Sequence, residues 1–423
     1  MSLLRLPYSL LWYVALPAVL LRLAWRARRQ PAYLQHVDER FASYRAAPTG
    51  PVVWIHAVSV GETRAAEPLV RAVLERLPDH EVLLTHMTPT GRDTAASLFG
   101  ASPRVRSVYL PYDIGLLSRR FLRHFRPRLG IIMETELWPN LLLACRAASV
   151  PVLLANARLS ARSAQRYARW PALTALTLGA LDAVGAQTGA DAERLAQLGA
   201  RQVSVTGNIK FDIAPPPASD TLAQTLRDRI GGRPVVLAAS TREGEESLIL
   251  DAFAARAQAD TLLVLVPRHP QRFEEVATLV RDRGLSLQRR SENTTIDRAT
   301  RVMLGDSMGE MFAYYRLADV ALIGGSWLPF GGQNLIEASA VGTPALIGPH
   351  TFNFELVAGQ AVAAGAALRF ETVETAILKA LEIATDPRQR ASIGEAGLAF
   401  STAHRGATKR TLEIVERLLR AAQ

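Results

Sequence analysis

The sequence contains a single cysteine in 423 residues, Cys145, so the chain can form neither an internal disulfide nor a zinc site made of thiolates. That cysteine stands in an apolar stretch, where a buried and inert thiol is more typical than a nucleophile. The sequence also lacks Asp-x-Asp, GxxxxGK followed by Ser or Thr, GxGxxG and HExxH. These absences exclude the paired-aspartate metal site of many sugar transferases, the P-loop, the usual dinucleotide fingerprint and a common zinc motif.

Low-complexity segments and internal repeats are absent from the sequence as well. Hydrophobic residues make up 49% of the chain and charged residues 21%, which is typical of a packed globular protein. A length of 423 residues indicates two or three domains. The net charge of +10 fits either an anionic partner or arginines spread over solvated helix faces. Because no basic helix interleaved with aromatic residues is evident, we expect no nucleic-acid partner. A non-catalytic protein whose positive charge attracts nucleic acid or acidic lipid is the alternative.

The N-terminus differs from the rest of the chain. Residues 6–24 are almost wholly apolar and include three aromatic residues, and four arginines follow between Arg22 and Arg29. The uncharged part is slightly short for a bilayer span, and the arginines occupy the place of a signal-peptide cleavage site. We therefore expect residues 1–29 to associate with a membrane, either as a short span or as an interfacial helix. A buried core helix is the alternative.

After this segment the chain alternates between short apolar runs and amphipathic helices, which predicts parallel sheets covered on both faces. A proline-rich stretch at residues 215–218 interrupts the alternation, which then resumes. We predict an α/β protein with two Rossmann-like domains, residues 30–213 and 214–423, whose sheets face an interdomain cleft. The predicted strands are residues 51–56, 82–86, 105–110, 129–133, 151–155 and 182–186, then 234–240, 261–266, 301–305, 319–325 and 344–348.

Glu62 is the first candidate for chemistry, because it stands between the first predicted strand and the helix after it. We expect Thr63 to cap that helix and the positive end of the helix to keep the Glu62 carboxylate ionised. An ionised carboxylate in a cleft can act as a general base. The alternative is a glutamate that only helps to cap a helix.

Glu134 and Glu136 follow another predicted strand, in the run Met133–Asn140. Two carboxylates there can hold a substrate hydroxyl or a cation, or they can form a structural ion pair with Arg158 or Lys210. Lys210 precedes the proline-rich stretch, where it can neutralise a phosphate or carboxylate. A lone surface lysine is the alternative.

The second predicted domain carries polar or glycine-containing segments after several strands, an arrangement suited to a nucleotide. Glycine beside a helix N-terminus lets the backbone approach a phosphate closely. Acidic residues such as Glu310 and Glu337 can hold ribose hydroxyls. Each segment alone is equally well explained as a loop closure. The segments are residues 240–246, 267–270, 306–310, 324–326 and 331–334.

Taken in order, these motifs resemble the 3-deoxy-D-manno-octulosonic acid (Kdo) transferase family. The resemblance covers nearly the whole chain, and METELWPN and PRHPQRF are long enough to make coincidence improbable. The matching segments are VSVGET, MTPTGR, YLPYD, METELWPN, NARLSARS, KFD, STREGEE, LVPRHPQRF, GDSMGEM, IGGS and GPHTFNF.

The resemblance implies a GT-B fold and an inverting, metal-free transfer of Kdo from CMP-Kdo to the acylated, phosphorylated lipid A precursor of lipopolysaccharide. It places the enzyme at the cytoplasmic side of the inner membrane, in contact with its lipids. It implies Glu62 as the general base, with Glu134 and Lys210 stabilising the transition state. The residues that it implies for binding CMP are Pro267, Arg268, Met308, Gly309, Glu310, Asn334, Leu335, Ile336 and Glu337.

One segment departs from the family pattern. The family has Gly-Gly-His-Asn-Pro-Leu-Glu, whereas this chain has Gln333 in place of the histidine and Leu335 in place of the proline. Glutamine can still form hydrogen bonds, but it cannot carry a proton charge near neutral pH. We therefore expect donor binding at this segment to be altered, with Leu335 and Ile336 contributing backbone contacts only.

Overall fold

The computed structural model describes residues 6–422, which separate into two compact units. The first unit contains the described residues up to Ile213 together with those from Arg405 onward. The second unit is Ala214–His404. In each unit a parallel sheet is covered by helices, which confirms the predicted α/β class.

The first unit has, within the described residues, a seven-stranded sheet in the order β3-β2-β1-β4-β5-β6-β7. Its strands are β1 Val52–His56, β2 Glu81–His86, β3 Val105–Tyr109, β4 Pro127–Met133, β5 Val152–Ala157, β6 Ala183–Ala186 and β7 Val203–Val205. Its helices are α1 Leu6–Ala27, α2 Val60–Arg76, α3 Pro89–Phe99, α4 Gly115–Phe125, α5 Pro139–Ala147, α6 Ala161–Ala168, α7 Pro171–Leu178 and α8 Gly189–Gln197. Short 3₁₀ helices occur at Pro31–Leu34, Val37–Phe41 and Ile209–Asp212.

The second unit also has, within the described residues, a seven-stranded sheet, in the order β10-β11-β9-β8-β12-β13-β14. Its strands are β8 Val235–Thr241, β9 Leu262–Pro267, β10 Leu287–Arg289, β11 Val302–Leu304, β12 Val320–Ile323, β13 Ala345–Ile347 and β14 Ala367–Arg369. Its helices are α9 Ala218–Ile230, α10 Glu245–Arg256, α11 Phe273–Arg281, α12 Met311–Leu317, α13 Ile336–Ala340, α14 Glu355–Ala363, α15 Val373–Thr385 and α16 Pro387–Ala403. The 3₁₀ helices are Pro270–Arg272 and Arg290–Glu292.

The central strands are buried on both faces, as their unbroken apolar sequences predict. All five residues of β1 are buried, as are all six of β9. The eleven strands predicted from the sequence are confirmed to within about three residues at each end. Three short strands, β7, β10 and β14, were not predicted, because three residues in a row show no periodicity that separates a strand from a loop.

Helix α1 lies along the first unit, with one side bonded to it and the other exposed. The Tyr8 hydroxyl donates to Asp113 Oδ2 at 2.8 Å, and the Ser9 hydroxyl donates to Asn140 Oδ1 at 3.0 Å. By length and composition α1 is apolar enough to cross a membrane. Its exposed apolar residues are Leu6, Leu10, Leu11, Tyr13, Val14, Leu21 and Trp25. The predicted apolar N-terminal helix is therefore present, and the buried-core alternative does not fit.

The last helix, α17 (Ala407–Ala421), belongs to the first unit, although we predicted one continuous second domain over residues 214–423. That prediction is wrong for this helix. Its apolar face, which includes Ile414 and Val415, packs in one core cluster with Val53 and Ile55 of β1. Asp212 fixes the start of the helix by accepting the backbone N–H groups of Gly406 and Thr408. A contact between residues so far apart in sequence leaves no mark in the local pattern.

Candidate active site

Both sheets reverse their strand order at an internal point, which is where ligands bind in doubly wound folds. In the first unit this point lies between β1 and β4, and the segments that follow these strands carry Glu62 and Glu134. In the second unit it lies between β8 and β12, which lead into residues 240–246 and 324–328. The topology therefore places the predicted segments at the expected edge of each sheet.

Glu62 occupies the first turn of α2, and its carboxylate folds back onto the chain before the helix. Oε2 accepts the backbone N–H of Val58 at 2.8 Å, and Oε1 accepts the Ser59 hydroxyl at 3.1 Å. Ser59 is the N-cap, since its side chain accepts the Glu62 N–H. The prediction that Thr63 caps the helix is wrong. Thr63 is buried one turn later, and its hydroxyl donates to the Ser59 carbonyl.

The charge state of Glu62 also differs from the prediction that the helix end keeps it ionised. Burial, together with the nearby carboxylates of Glu134 and Glu136, raises the pKa of Glu62 to about 7, against the lowering effect of the Val58 and Ser59 hydrogen bonds. Desolvation therefore outweighs the hydrogen bonds that lower the pKa of Glu62. A half-buried carboxylate with this pKa can exchange protons near neutral pH, as a general base must.

Glu134 and Lys210 form an ion pair, with Lys210 Nζ 3.0 Å from Glu134 Oε1. The side chains are 29% and 22% exposed, respectively, so both remain accessible. Of the sequence alternatives for Glu134, the structure shows the pair with Lys210. The backbone of Glu134 has a φ of 59°, a left-handed conformation that is costly for a residue with a side chain.

Glu136 lies near this pair and contributes a second negative charge. Burial raises the pKa of Glu136, and the Glu134 carboxylate raises it further. The first unit thus brings Glu62, Glu134, Glu136 and Lys210 into one electrostatic neighbourhood at the carboxyl edge of its sheet. Burial and the nearby negative charge thus raise the pKa values of both Glu62 and Glu136.

In the second unit, Glu245 joins the two segments at the point of strand reversal. Its buried carboxylate accepts backbone N–H groups from Arg242, Gly325, Trp327 and Leu328, at distances between 2.7 and 3.4 Å. The sequence predicts that the segment 240–246 after β8 suits a nucleotide. Within that segment, the N–H group of Arg242 is already bonded to this internal carboxylate.

Glu310 is held by three neighbours within the second unit. Arg290 Nη2 donates to Oε1 at 3.1 Å, while Oε2 accepts the hydroxyls of Ser307 at 2.5 Å and Tyr314 at 3.4 Å. The two residues before it, Met308 and Gly309, are exposed. The carboxylate is therefore fixed in orientation before any ligand arrives.

Asn334 and Glu337 are linked directly, since Asn334 Nδ2 donates to Glu337 Oε1 at 3.1 Å. The Asn334 Oδ1 atom accepts the N–H of Ile336 and so begins α13. The side chains of Leu335 and Ile336 are buried, which leaves only their backbone for contact with a ligand. Gln333 is partly exposed, and its N–H donates to the Gly324 carbonyl at 3.0 Å.

Pro267 ends β9 as a buried residue, and Arg268 follows it in a partly exposed position. The Arg268 N–H donates to the Thr241 carbonyl at 3.0 Å, which joins this segment to the end of β8. Among the described residues, no group of three or more His, Cys, Asp or Glu side chains has an arrangement that could hold a metal ion.

Comparison with known proteins identifies the family. The family model for 3-deoxy-D-manno-octulosonic-acid transferase matches residues 35–213. The chain is 48% identical over 386 residues to the 3-deoxy-D-manno-octulosonic acid transferase of Bordetella pertussis, covering 88% of each chain. It is 36% identical over 420 residues to the enzyme of that name from Haemophilus influenzae, covering 97% of this chain and 98% of the other. The chain belongs to the Kdo transferase family.

Among solved structures, the UDP-GlcNAc 2-epimerase of Neisseria meningitidis bound to UDP-GlcNAc matches with a TM-score of 0.58. The match covers 86% of this chain and 100% of the other at 17% identity, so it shows the fold alone. The chain is therefore a glycosyltransferase by its family, and its two Rossmann-like units have the GT-B type of fold.

Sequence reasoning about this Kdo transferase did not assign the roles of Ser59, Glu245 and Arg290. Ser59 was detectable, because Ser followed three residues later by Glu is the capping-box pattern. Glu245 and Arg290 act on residues 80 and 20 positions away, respectively, and no local pattern reveals such partners.

Proposed function

We propose that the chain transfers Kdo from CMP-Kdo to the lipid A precursor in lipopolysaccharide biosynthesis, with inversion at the anomeric carbon. The observation that carries this proposal is Glu62, a half-buried carboxylate whose pKa is raised by burial to about 7. Such a group is ionised often enough near neutral pH to accept a proton and basic enough to hold it.

In the proposed step, Glu62 removes the proton from an acceptor hydroxyl as the hydroxyl oxygen attacks the anomeric carbon of Kdo. The new carbon–oxygen bond forms while the bond from that carbon to the phosphate oxygen breaks, and CMP leaves with the electron pair. Lys210 and Arg268 supply positive charge for the departing phosphate and for the Kdo carboxylate. Because these cations can balance the negative charge that a metal ion would otherwise balance, we propose a transfer without a catalytic metal.

Glu134 has a supporting role in this proposal. Its contact with Lys210 holds the ammonium group in one position, which lowers the cost of orienting the cation during transfer. Its negative charge also raises the pKa of Glu62, which strengthens that base. One carboxylate thus serves both the cation and the base.

For the donor, we propose that the second unit binds CMP. In this proposal the phosphate and the cytosine base of CMP lie against Arg268 and the backbone of residues 308–309. The ribose hydroxyls donate to Glu310 and Glu337. The preformed hydrogen bonds of Glu310 and Glu337 favour this role, because they orient the carboxylates before binding. A UDP-sugar donor is the second candidate, and competition between CMP and UDP for binding separates the two.

We further propose that α1 attaches the enzyme to the cytoplasmic side of the inner membrane, with its exposed apolar side among the lipids. The polar contacts of Tyr8 and Ser9 keep the other side on the protein, which favours a helix lying in the interface over one that spans the bilayer. The arginines near the end of α1 suit anionic lipid headgroups.

The test is transfer from freshly prepared CMP-Kdo to purified lipid A precursor, with products resolved by mass spectrometry. We expect a mass increase of one or more Kdo units with the wild-type chain. We expect none with Glu62→Gln, which should still bind CMP as tightly as the wild type. Glu67→Gln, on the same helix, is the matched control and should transfer normally. Near-normal turnover by Glu62→Gln would refute the assignment of the base.

A further inference from the structure

Asn156 stands at an irregular point of β5, the strand whose residues bond to the chain segments that carry Glu134 and Lys210. The register between β5 and β6 shifts between Leu154 and Ala157, and Asn156 has a left-handed φ of 54°. Its side chain is fully buried. Asparagine tolerates this backbone conformation better than most residues, because its short side chain can form local hydrogen bonds.

The side chain of Asn156 reaches the 3₁₀ helix that carries Lys210. Its Oδ1 atom accepts the backbone N–H of Ile209 at 3.1 Å. Ile209 is itself fully buried, so this N–H group has no access to solvent. Loss of the acceptor would leave a buried donor unsatisfied, and the chain around Lys210 would have to move to satisfy it.

The preceding residue of β5 fixes the other partner of the pair. The carbonyl of Ala155 accepts the backbone N–H of Glu134 at 2.9 Å. Two consecutive residues of one strand therefore hold the two chain segments that carry Glu134 and Lys210. Of these two attachments, the one at Asn156 is made by a side chain.

We propose that Asn156 is a positioning residue for Kdo transfer, which sets the distance between Lys210 and Glu134 through its hydrogen bond to the Ile209 N–H. This inference rests on the proposed function of that pair. Asn156 does not touch the reacting atoms in this proposal. Asn156 affects the reaction by fixing the position of the Lys210 ammonium group. Donor binding by the second unit does not depend on Asn156.

Because the backbone of Asn156 is left-handed, a glycine there separates the effect of losing the side chain from the effect of backbone strain. Asn156→Gly keeps the conformation accessible and removes the acceptor, whereas Asn156→Asp keeps an acceptor oxygen at the same place. Ser149→Gly is the matched control, because Ser149 has a φ of 54° and is exposed in the loop that enters the other end of β5. All three variants are compared with the wild type as full-length chains.

We expect Asn156→Gly to lower kcat for Kdo transfer by about 10- to 100-fold, as small misplacements of a catalytic group do. The Kd for CMP should stay within about twofold of the wild type, and Asn156→Asp should restore most of the lost turnover. Ser149→Gly should match the wild type. A role in folding alone would lower CMP binding and turnover together, in proportion to the fraction of folded protein, and would overturn the proposal.

A crystal structure of Asn156→Gly decides the inference independently of any activity. We expect the Lys210 Nζ to Glu134 Oε1 distance to exceed the roughly 4 Å limit of an ion pair. An unchanged pair refutes the positioning role, as does an unchanged kcat. If the wild-type chain fails to transfer Kdo at all, the proposed function fails, while this distance still decides the role of Asn156.

Discussion

Lys210 Nζ lies 3.0 Å from Glu134 Oε1, although the two residues are 76 positions apart in the chain. Glu134 also adds negative charge near Glu62, and burial together with that charge raises the pKa of Glu62. A cation and a base with a raised pKa are therefore electrostatically connected through one carboxylate. Removing a negative charge from this cluster should therefore lower the pKa of Glu62.

The first prediction concerns the pH dependence of transfer. Glu62 must be deprotonated to act as a base, and its pKa is about 7, so activity should be lost as the pH falls through 7. Below that value kcat/KM should decrease about tenfold per pH unit, because it reports the free enzyme. Replacing Glu136 by Gln removes one negative charge that raises the Glu62 pKa, so the acidic limb should move to lower pH.

The measurement is a pH–rate profile of the wild type, Glu136→Gln and Glu75→Gln, the last being a control at the far end of α2. A shift of the Glu136→Gln limb to higher pH would contradict the electrostatic account. The same would follow from an identical shift in the control, which lies too far from Glu62 for its charge to be felt strongly.

How much of this site the sequence predicts depends on how local each feature is. The long buried strands and the edge that carries Glu62 and Glu134 were predictable, because apolar runs and their order determine them. The raised pKa of Glu62 was not, since it depends on burial and on carboxylates more than 70 residues away. For the same reason, α17 was assigned to the wrong unit, and the pairing of Glu134 with Lys210 was only one of several alternatives.

The second prediction concerns Glu245, whose carboxylate accepts four backbone N–H groups. Glu245→Gln replaces one acceptor oxygen by an NH₂ group that faces N–H donors. We expect the free energy of unfolding to fall by about 1–3 kcal/mol for each donor left unsatisfied. CMP binding should weaken too, because the segments 240–246 and 324–328 lose their common anchor.

Urea unfolding and calorimetric titration with CMP measure the two effects. Glu243→Gln is the control, since Glu243 is exposed two residues earlier and should change neither quantity measurably. Equal stability of Glu245→Gln and the wild type would show that the two segments hold their shape without this carboxylate.

The third prediction concerns Arg290, which donates to Glu310 at 3.1 Å. Arg290→Met keeps the apolar stem but leaves Glu310 with the hydroxyls of Ser307 and Tyr314 alone. If Glu310 accepts a ribose hydroxyl, this variant should weaken CMP binding by about tenfold, the value of one charged hydrogen bond. Binding of the deoxy analogue that lacks that hydroxyl should weaken much less.

Titration with CMP, 2′-deoxy-CMP and 3′-deoxy-CMP therefore distinguishes positioning from general damage. Arg298→Met, an exposed arginine in the same stretch of chain, is the control and should bind all three like the wild type. Equal weakening for all three nucleotides in Arg290→Met would place Glu310 away from the ribose.

The last prediction concerns the exposed side of α1. Leu10 and Val14 are 66% and 71% exposed, and they lie one helical turn apart on the side that faces away from the first unit. Burying a large apolar side chain in lipid contributes about 1.5–3 kcal/mol, so replacing either one by Gln should lower membrane affinity by about tenfold or more. Sedimentation with vesicles of phosphatidylethanolamine and phosphatidylglycerol measures this affinity. Leu378→Gln is the control, because Leu378 is 43% exposed on α15 of the second unit. An equal loss of vesicle binding in the control, or none in the α1 variants, would show that the exposed side of α1 is not the membrane contact.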